Sequence, residues 1–160
     1  MDNPFGNAFQ DTTVFITGHT GFKGSWLAAW LVRLGARVVG YSLHAPASEP
    51  SNYDVSGLAA HVTDVRGDVR DADALRQALA AHQPALVIHM AAQPLVLRGV
   101  AEPELTFDTN AGGTVNVLDA VRHVPAVRAV INITTDKVYH NNEWLWGYRE
   151  ADRLGGHDPY

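Results

Sequence analysis

Thr17-Gly18-His19-Thr20-Gly21-Phe22-Lys23-Gly24-Ser25 stands between two apolar segments of different period. The run before it, Thr12-Thr13-Val14-Phe15-Ile16-Thr17, is short, apolar and largely β-branched, as in a buried strand. The run after it, Phe22 to Leu34, repeats at three and four residues, as in an amphipathic helix. Gly18, Gly21 and Gly24 follow at spacing three. Strand, glycine turn and helix in that order make a phosphate cradle. Glycine allows a tight turn and a close approach of backbone to ligand, and the helix N-terminus offers free N–H groups to an anion. The nucleoside-triphosphate loop G-x-x-x-x-G-K-[ST] is excluded, because the order here is Lys23-Gly24-Ser25. The dinucleotide pattern G-x-G-x-x-G is met only with its first spacing longer by one.

Outward from this turn the pattern alternates. The polar residues 1–10 form a lead-in. Residues 12–17 are strand one and residues 22–34 helix one. Phe22, Trp26 and Trp30 fall four apart, as do Leu27 and Leu31, and the aromatic stripe is expected in the core. Gly35 ends the helix. Strand two spans 36–41, and residues 44–57, with Pro46 and Pro50, form a loop. Strand three spans 62–66. Asp71 caps a helix over 72–81, with Leu75, Ala78 and Leu79 inward. The unbroken apolar run 85–90 suits a central parallel strand covered on both faces. Residues 91–100 are expected as loop, then a helix from about 104 to 122, interrupted or not at Gly112-Gly113. Strand five is placed at 127–134. Strands alternating with helices predict an α/β fold with a doubly wound parallel sheet of order 3-2-1-4-5. Its ligand crevice lies at the switch between strands one and four. The glycine turn and Ala91-Ala92-Gln93 border it from the two sides.

The 160 residues can bury one core, so one domain is expected, and 46% hydrophobic with 18% charged residues describes a globular chain. A net charge of −5 and the lack of a basic run argue against nucleic acid. With no Cys, disulfides, thiol catalysis and Cys-based zinc sites are excluded. The eight His are scattered, with no i,i+4 pair for a metal, and are expected as surface or satisfied residues. No apolar run approaches the ~20 residues that cross a bilayer, and the N-terminus has no signal-peptide pattern, so the cytoplasm is the expected compartment.

Several segments carry a family resemblance. They are Gly18-His19-Thr20-Gly21-Phe22-Lys23-Gly24-Ser25-Trp26, Gly67-Asp68-Val69-Arg70-Asp71, His89-Met90-Ala91-Ala92-Gln93-Pro94-Leu95-Val96 and Thr109-Asn110. Thr134-Thr135-Asp136-Lys137-Val138-Tyr139 and Trp144-Leu145-Trp146-Gly147-Tyr148-Arg149-Glu150 complete the set. The chain resembles the N-terminal half of the extended short-chain dehydrogenase/reductases, and within them the CDP-glucose 4,6-dehydratases. The resemblance implies a Rossmann-type NAD(P)-binding domain over residues 1–160, lacking the sugar-nucleotide domain. It also implies a family member of about twice this length, a homo-oligomer when intact, working in deoxysugar and O-antigen biosynthesis. The chain stops at Tyr160, where the family's Y-x-x-x-K motif opens, so a truncated protein with exposed apolar surface is expected. Related possibilities are another nucleotide-sugar epimerase or reductase, or a dinucleotide-binding module without catalysis.

The reaction the resemblance implies is an internal redox cycle on CDP-glucose. Hydride leaves C4 for NAD, water is lost across C5 and C6, and the hydride returns to C6. Tyr160 is implied as the base for the C4 hydroxyl, although a tyrosine near pKa 10 needs a cation to act so at neutral pH. Thr135 is implied to hold the C4 oxygen. Asp136 is implied as the acid for the departing C6 hydroxyl, and Lys137 takes the place where the dTDP-glucose enzymes carry Glu. Its role, as base or as electrostatic partner of the enolate, is open at this stage. For the cofactor, the turn Gly18, His19, Thr20, Gly21, Phe22, Lys23 and Gly24 meets the pyrophosphate. Asp68 and Val69 read the adenine, and Ala91, Ala92 and Gln93 line the nicotinamide side. The end of strand two, Gly40-Tyr41-Ser42-Leu43-His44, has no acid for the ribose hydroxyls. The residues alone thus leave NAD and NADP open, with Lys23 or His19 placed to meet a phosphate; the resemblance favours NAD. No metal is expected.

Overall fold

A computed structural model describes residues 5–43 and 49–160, and for Asp136 the main chain. The loop positions His44 and Pro46 lie outside the described residues. The strands are β1 (Thr13–Thr17), β2 (Arg37–Ser42), β3 (Thr63–Arg66), β4 (Leu86–His89) and β5 (Ala129–Asn132). The helices are α1 (Phe22–Arg33), α2 (Asn52–Val55), α3 (Ala72–His82), α4 (Val96–Ala101), α5 (Pro103–Phe107) and α6 (Gly113–Arg122). All strand pairs are parallel, and the order is β3-β2-β1-β4-β5. The expected doubly wound sheet is thus present, with β1 and β4 side by side at the centre.

Strand alternation sorts the central strands into two cores. From β1, Phe15 points to one face, where it meets Tyr41, Val69, Leu75, Leu79, Val87 and Val117 under α3 and α6. Val14 and Ile16 point to the other, against Ala28, Leu31, Tyr53 and Ile88 under α1 and α2. Asp71 caps α3 as expected, accepting from the Asp73 and Ala74 amides. At the end of α1, Gly35 takes φ +86° in the left-handed region, and the Ala36 amide bonds back to Leu31 O.

Three expectations are corrected, and one left open is decided. The aromatic stripe of α1 faces out: Phe22, Trp26 and Trp30 are 74%, 60% and 53% exposed. Gly24, Ser25, Ala28 and Leu31 face the sheet instead. The two stripes are two residues apart, roughly 200° around the helix, and small residues let α1 lie close to the glycine turn, which periodicity alone does not show. Within 91–100, Val96–Ala101 is helical, because the Gln93 side chain folds back and holds Leu95 at its start. The glycines at 112 and 113 do not break the following helix. α5, with Pro103 in its first turn, runs through a π-turn (Asp108–Gly112) into α6. Finally, β5 is shorter than expected, ending at Asn132 with one further bond from the Ile133 amide to His89 O. Ile131 within it and Ile133 just beyond it are exposed, as are Leu97, Val100, Phe107, Val115 and Leu118 on α4 to α6. This matches the expected exposed apolar surface.

Candidate active site at the sheet switch point

The β1 and β4 ends diverge where their crossovers leave on opposite sides of the sheet, and the glycine turn fills the gap. Gly18 has φ +77°, and a Cβ there would stand 2.9 Å from the Ala91 nitrogen. A Cβ on Gly24 would stand 2.1 Å from Gly18 O, so the first turn of α1 lies directly on the glycine loop. Gly21 caps α1 without any side-chain bond, and the first turn carries no acid. The helix therefore presents unneutralised N–H groups at the crevice, a setting for an anion. Lys23 is exposed in that same turn, and Phe22 beside it is exposed as well.

The His19 side chain does not join them. It is fully buried, with its ring against Gly40 of β2, where a Cβ would come within 2.2 Å. Its Nδ1 is 3.0 Å from Ser42 Oγ, and its Nε2 lies 3.2 Å from Asp64 Oδ1 without hydrogen-bond alignment. Burial holds its pKa below the ordinary histidine value, with Asp64 acting in the opposite sense. His19 thus occupies Ser42, the residue at the end of β2 where an acid for the ribose was missed in the sequence. Thr20 is also buried, and its amide donates to the same Ser42 Oγ at 3.4 Å. Of the two residues expected to meet a phosphate, the exposed Lys23 keeps a side chain able to do so.

On the β3 side, Arg70 grips Asp68 through its main-chain amide and guanidinium, which holds the carboxyl below the usual range. Val69 is a core residue against α6, and its carbonyl accepts from Asn116 Nδ2 at 2.9 Å. Its side chain lies in that core, so the contact with adenine expected of it would fall to its main chain. Gln93, expected on the nicotinamide side, likewise has its side chain engaged within the fold. It is buried, and its amide is spent on Leu95 and on Thr106 Oγ1. Ala91 and Ala92 are left as the more open members of that wall.

Three polar groups at this switch point, Thr17 and His89 buried and Asn110 half-buried, were given no role from the sequence. Thr17 Oγ1 accepts from the Met90 and Ala91 amides at 3.0 and 3.1 Å and is 2.6 Å from His89 Nδ1. His89 Nε2 is 3.1 Å from Thr114 Oγ1. Asn110, in the π-turn, binds the Gln93 main chain on both sides: its Oδ1 accepts from the amide and its Nδ2 donates to the carbonyl. The signal was a polar residue at the end of each apolar strand, a position where an ordinary strand-end residue is the simpler explanation. Burial pushes the His89 pKa down to about 4.

The residues expected to carry chemistry lie beyond β5. Thr135 caps a 3-10 turn over Asp136–Val138, its Oγ1 accepting from the Lys137 amide. The carboxylate of Asp136 lies outside the described atoms. Lys137 lines a cavity of about 350 Å³ with Tyr139, Asn141, Tyr148, Gly155, Gly156, His157 and Asp158. The Tyr139 and Tyr148 rings stack there at 5.2 Å. The Tyr160 amide donates to Asp158 Oδ1, which ties the end of the chain to the rim of this cavity. Among the described residues, no group of three or more His, Asp or Glu could hold a metal ion. No helix of the described residues is long and apolar enough to cross a membrane.

Residues 15–160 match the family model described as GDP-mannose 4,6 dehydratase. The chain is 49% identical over 154 residues to the CDP-glucose 4,6-dehydratase of Salmonella typhimurium, covering 96% of this chain and 43% of that one. It is 35% identical to the GDP-mannose 4,6-dehydratase of Vibrio cholerae, over 67% of this chain and 30% of that one. Among solved structures, the UDP-glucose 4-epimerase of Brucella ovis in complex with NAD superposes with a TM-score of 0.79 at 27% identity, covering 93% of this chain and 43% of that one. The chain spans less than half the length of each of these proteins.

Proposed function

The chain belongs to the GDP-mannose 4,6-dehydratase family, and on that premise we propose that it is the dinucleotide-binding half of a cytoplasmic, homo-oligomeric CDP-glucose 4,6-dehydratase with NAD as cofactor. The observation that carries this is the close packing of the glycine turn against both α1 and the Met90–Ala91 turn, where a Cβ on Gly24 or Gly18 would strike backbone. With no side-chain cap and no acid in its first turn, the α1 N-terminus held there suits a pyrophosphate. Gly18, Gly21, Gly24 and Lys23 hold it, with the main chain of His19, Thr20 and Phe22. Asp68 and the Val69 main chain border the adenine, and Ala91, Ala92 and the Gln93 main chain border the nicotinamide. The 49% identity to a CDP-glucose enzyme supports the sugar nucleotide.

Bound in this crevice, NAD would supply a hydride acceptor for C4 of glucose and the hydride for C6, so that none would be consumed. Tyr160 takes the C4 hydroxyl proton, and Thr135 donates a hydrogen bond to the forming C4 ketone. The ketone acidifies C5. Lys137 serves the loss of that proton and its return to C5, as the neutral base that holds it or as a fixed positive charge beside the enolate while water carries it. Asp136 gives a proton to the departing C6 hydroxyl, so that water leaves across C5 and C6. The test is formation of the 4-keto sugar from CDP-glucose by the whole enzyme, read by its absorbance in alkali, with NAD and NADP titrations on this chain. A 4-keto product and tighter binding of NAD are expected. No product refutes the activity, and tighter NADP binding refutes the cofactor.

A further inference from the structure

The described hydrogen bonds around His89 determine where every proton sits. A threonine oxygen has two lone pairs and one hydrogen. Both lone pairs of Thr17 Oγ1 are engaged, one by the Ala91 amide and one by the Met90 amide, which it shares with Thr17 O. Its hydrogen therefore goes to the remaining neighbour, His89 Nδ1, at 2.6 Å. Nδ1 is then an acceptor, and a neutral imidazole with an acceptor at Nδ1 carries its proton on Nε2. That proton points at Thr114 Oγ1, 3.1 Å away. Thr114 in turn donates to Asn110 O at 2.6 Å, so its lone pairs are available to receive from His89. The bonds run one way: from the Met90 and Ala91 amides to Thr17, to His89, to Thr114, to the Asn110 carbonyl. An imidazolium would break this order, because a proton on Nδ1 would face an oxygen with no lone pair left.

We propose that His89 is a positioning residue: as the Nε2–H tautomer it joins the Met90–Ala91 turn to the π-turn at Asn110 through one directional chain of hydrogen bonds. The two ends are already linked once by the Asn110 side chain on the Gln93 main chain. The His89 chain adds a second, independent tie, so that the 90–93 wall is fixed from β1 on one side and from the α5–α6 connection on the other. His89 is 3% exposed, and its two ring nitrogens are engaged by the Thr17 and Thr114 hydroxyls. Its effect on cofactor binding passes through the placement of Ala91, and that half of the proposal rests on the NAD assignment above.

The experiment is NMR on the 160-residue chain with 15N-labelled histidine, followed by Thr114→Val and His89→Asn. The unaltered chain is expected to show His89 with a protonated Nε2 and an unprotonated Nδ1; a protonated Nδ1 overturns the proposal. Thr114→Val keeps shape but removes the far acceptor. Hydrogen exchange at the Met90 and Ala91 amides is expected to rise about tenfold there, while exchange at Val14 and Phe15 in β1 stays level. His89→Asn keeps a polar group at the Nδ1 position without reaching Thr114, and is expected to protect the Ala91 amide better than His89→Leu does. Equal exchange in Asn and Leu variants, or no local change in Thr114→Val, overturns the coupling. NAD affinity is expected to fall about tenfold in Thr114→Val. An unchanged affinity alongside faster Ala91 exchange overturns the link to the cofactor alone. A chain that binds no NAD at all refutes the cofactor assignment, while the tautomer and exchange results still decide the structural half.

Discussion

Replacing Gly24 by Ala tests the cradle most sharply, because the added atom meets backbone rather than a yielding side chain. The new Cβ would stand 2.1 Å from Gly18 O and 2.9 Å from both Gly18 C and His19 Cα. To reach 3.0 Å from that oxygen, the first turn of α1 must move by at least about 0.9 Å. Forcing a methyl into such a packed place costs about 1–3 kcal/mol. The same shift carries the α1 N–H groups away from the pyrophosphate position. One lost hydrogen bond, at about 1 kcal/mol net, weakens NAD binding by roughly fivefold to tenfold. Two controls set the scale. A Cβ on Gly21 would meet only Gly18 O, at 3.3 Å, and one on Gly147 would meet nothing within 4 Å. Urea unfolding and NAD titration of the three alanine variants should therefore rank Gly24 worst, Gly21 mild and Gly147 neutral. A Gly24→Ala chain with unchanged midpoint and affinity, or a Gly21→Ala chain worse than it, refutes the contact between helix and turn.

Acid should weaken the fold through histidine before it does so through carboxylates. The His89 pKa lies at about 4 in the fold against 6.5 for the free side chain. The unfolded chain then binds more protons below 6.5, and stability falls from there towards pH 4, by roughly 3 kcal/mol if His89 acts alone. The lowered pKa of buried His19 acts in the same direction. Unfolding midpoints that stay level between pH 6.5 and 4 would contradict the buried neutral imidazole. Trp26→Ala, on the exposed stripe of α1, should cost less than about 1 kcal/mol in urea unfolding, whereas a core tryptophan would cost about 3–5 kcal/mol. Asp71→Ala removes the cap of α3 and should lower stability by about 1 kcal/mol, with no change in NAD affinity. Asp136→Asn in the whole enzyme should abolish release of water from CDP-glucose; retained 4-keto-6-deoxy product would refute Asp136 as the acid, and retained turnover of a nucleotide sugar without loss of water would point to an epimerase or reductase instead.

The sheet order and its switch point were legible in the sequence because they rest on long-range rules that few residues obscure. A continuous apolar run at 85–90 between turn signals suits a strand covered on both faces, and alternation with helices then points to a doubly wound sheet, of whose common orders the glycine turn after strand one favours this one. The orientation of α1 was not legible. Its aromatic stripe and its small-residue stripe have the same period, and hydrophobicity favours the wrong one. What turns the small stripe inward is the glycine loop beneath it, where Gly24 leaves no room for a side chain. The same lesson explains the site. The end of strand four and the family resemblance set Gln93 beside the nicotinamide, and a place in the glycine turn set His19 beside a phosphate. In the fold both are buried and spent on neighbours, Gln93 on Leu95 and Thr106, His19 on Ser42. Their contribution to the crevice is its shape: Gln93 starts α4, and His19 fills the space that Gly40 leaves open in β2. The groups facing the cofactor side are then backbone N–H groups and small residues, which a side-chain pattern identifies only through the glycines that make room for them. That is why the glycine turn was informative from the first, and why the polar chain from Thr17 through His89 to Asn110, which holds the opposite wall, required coordinates to be seen.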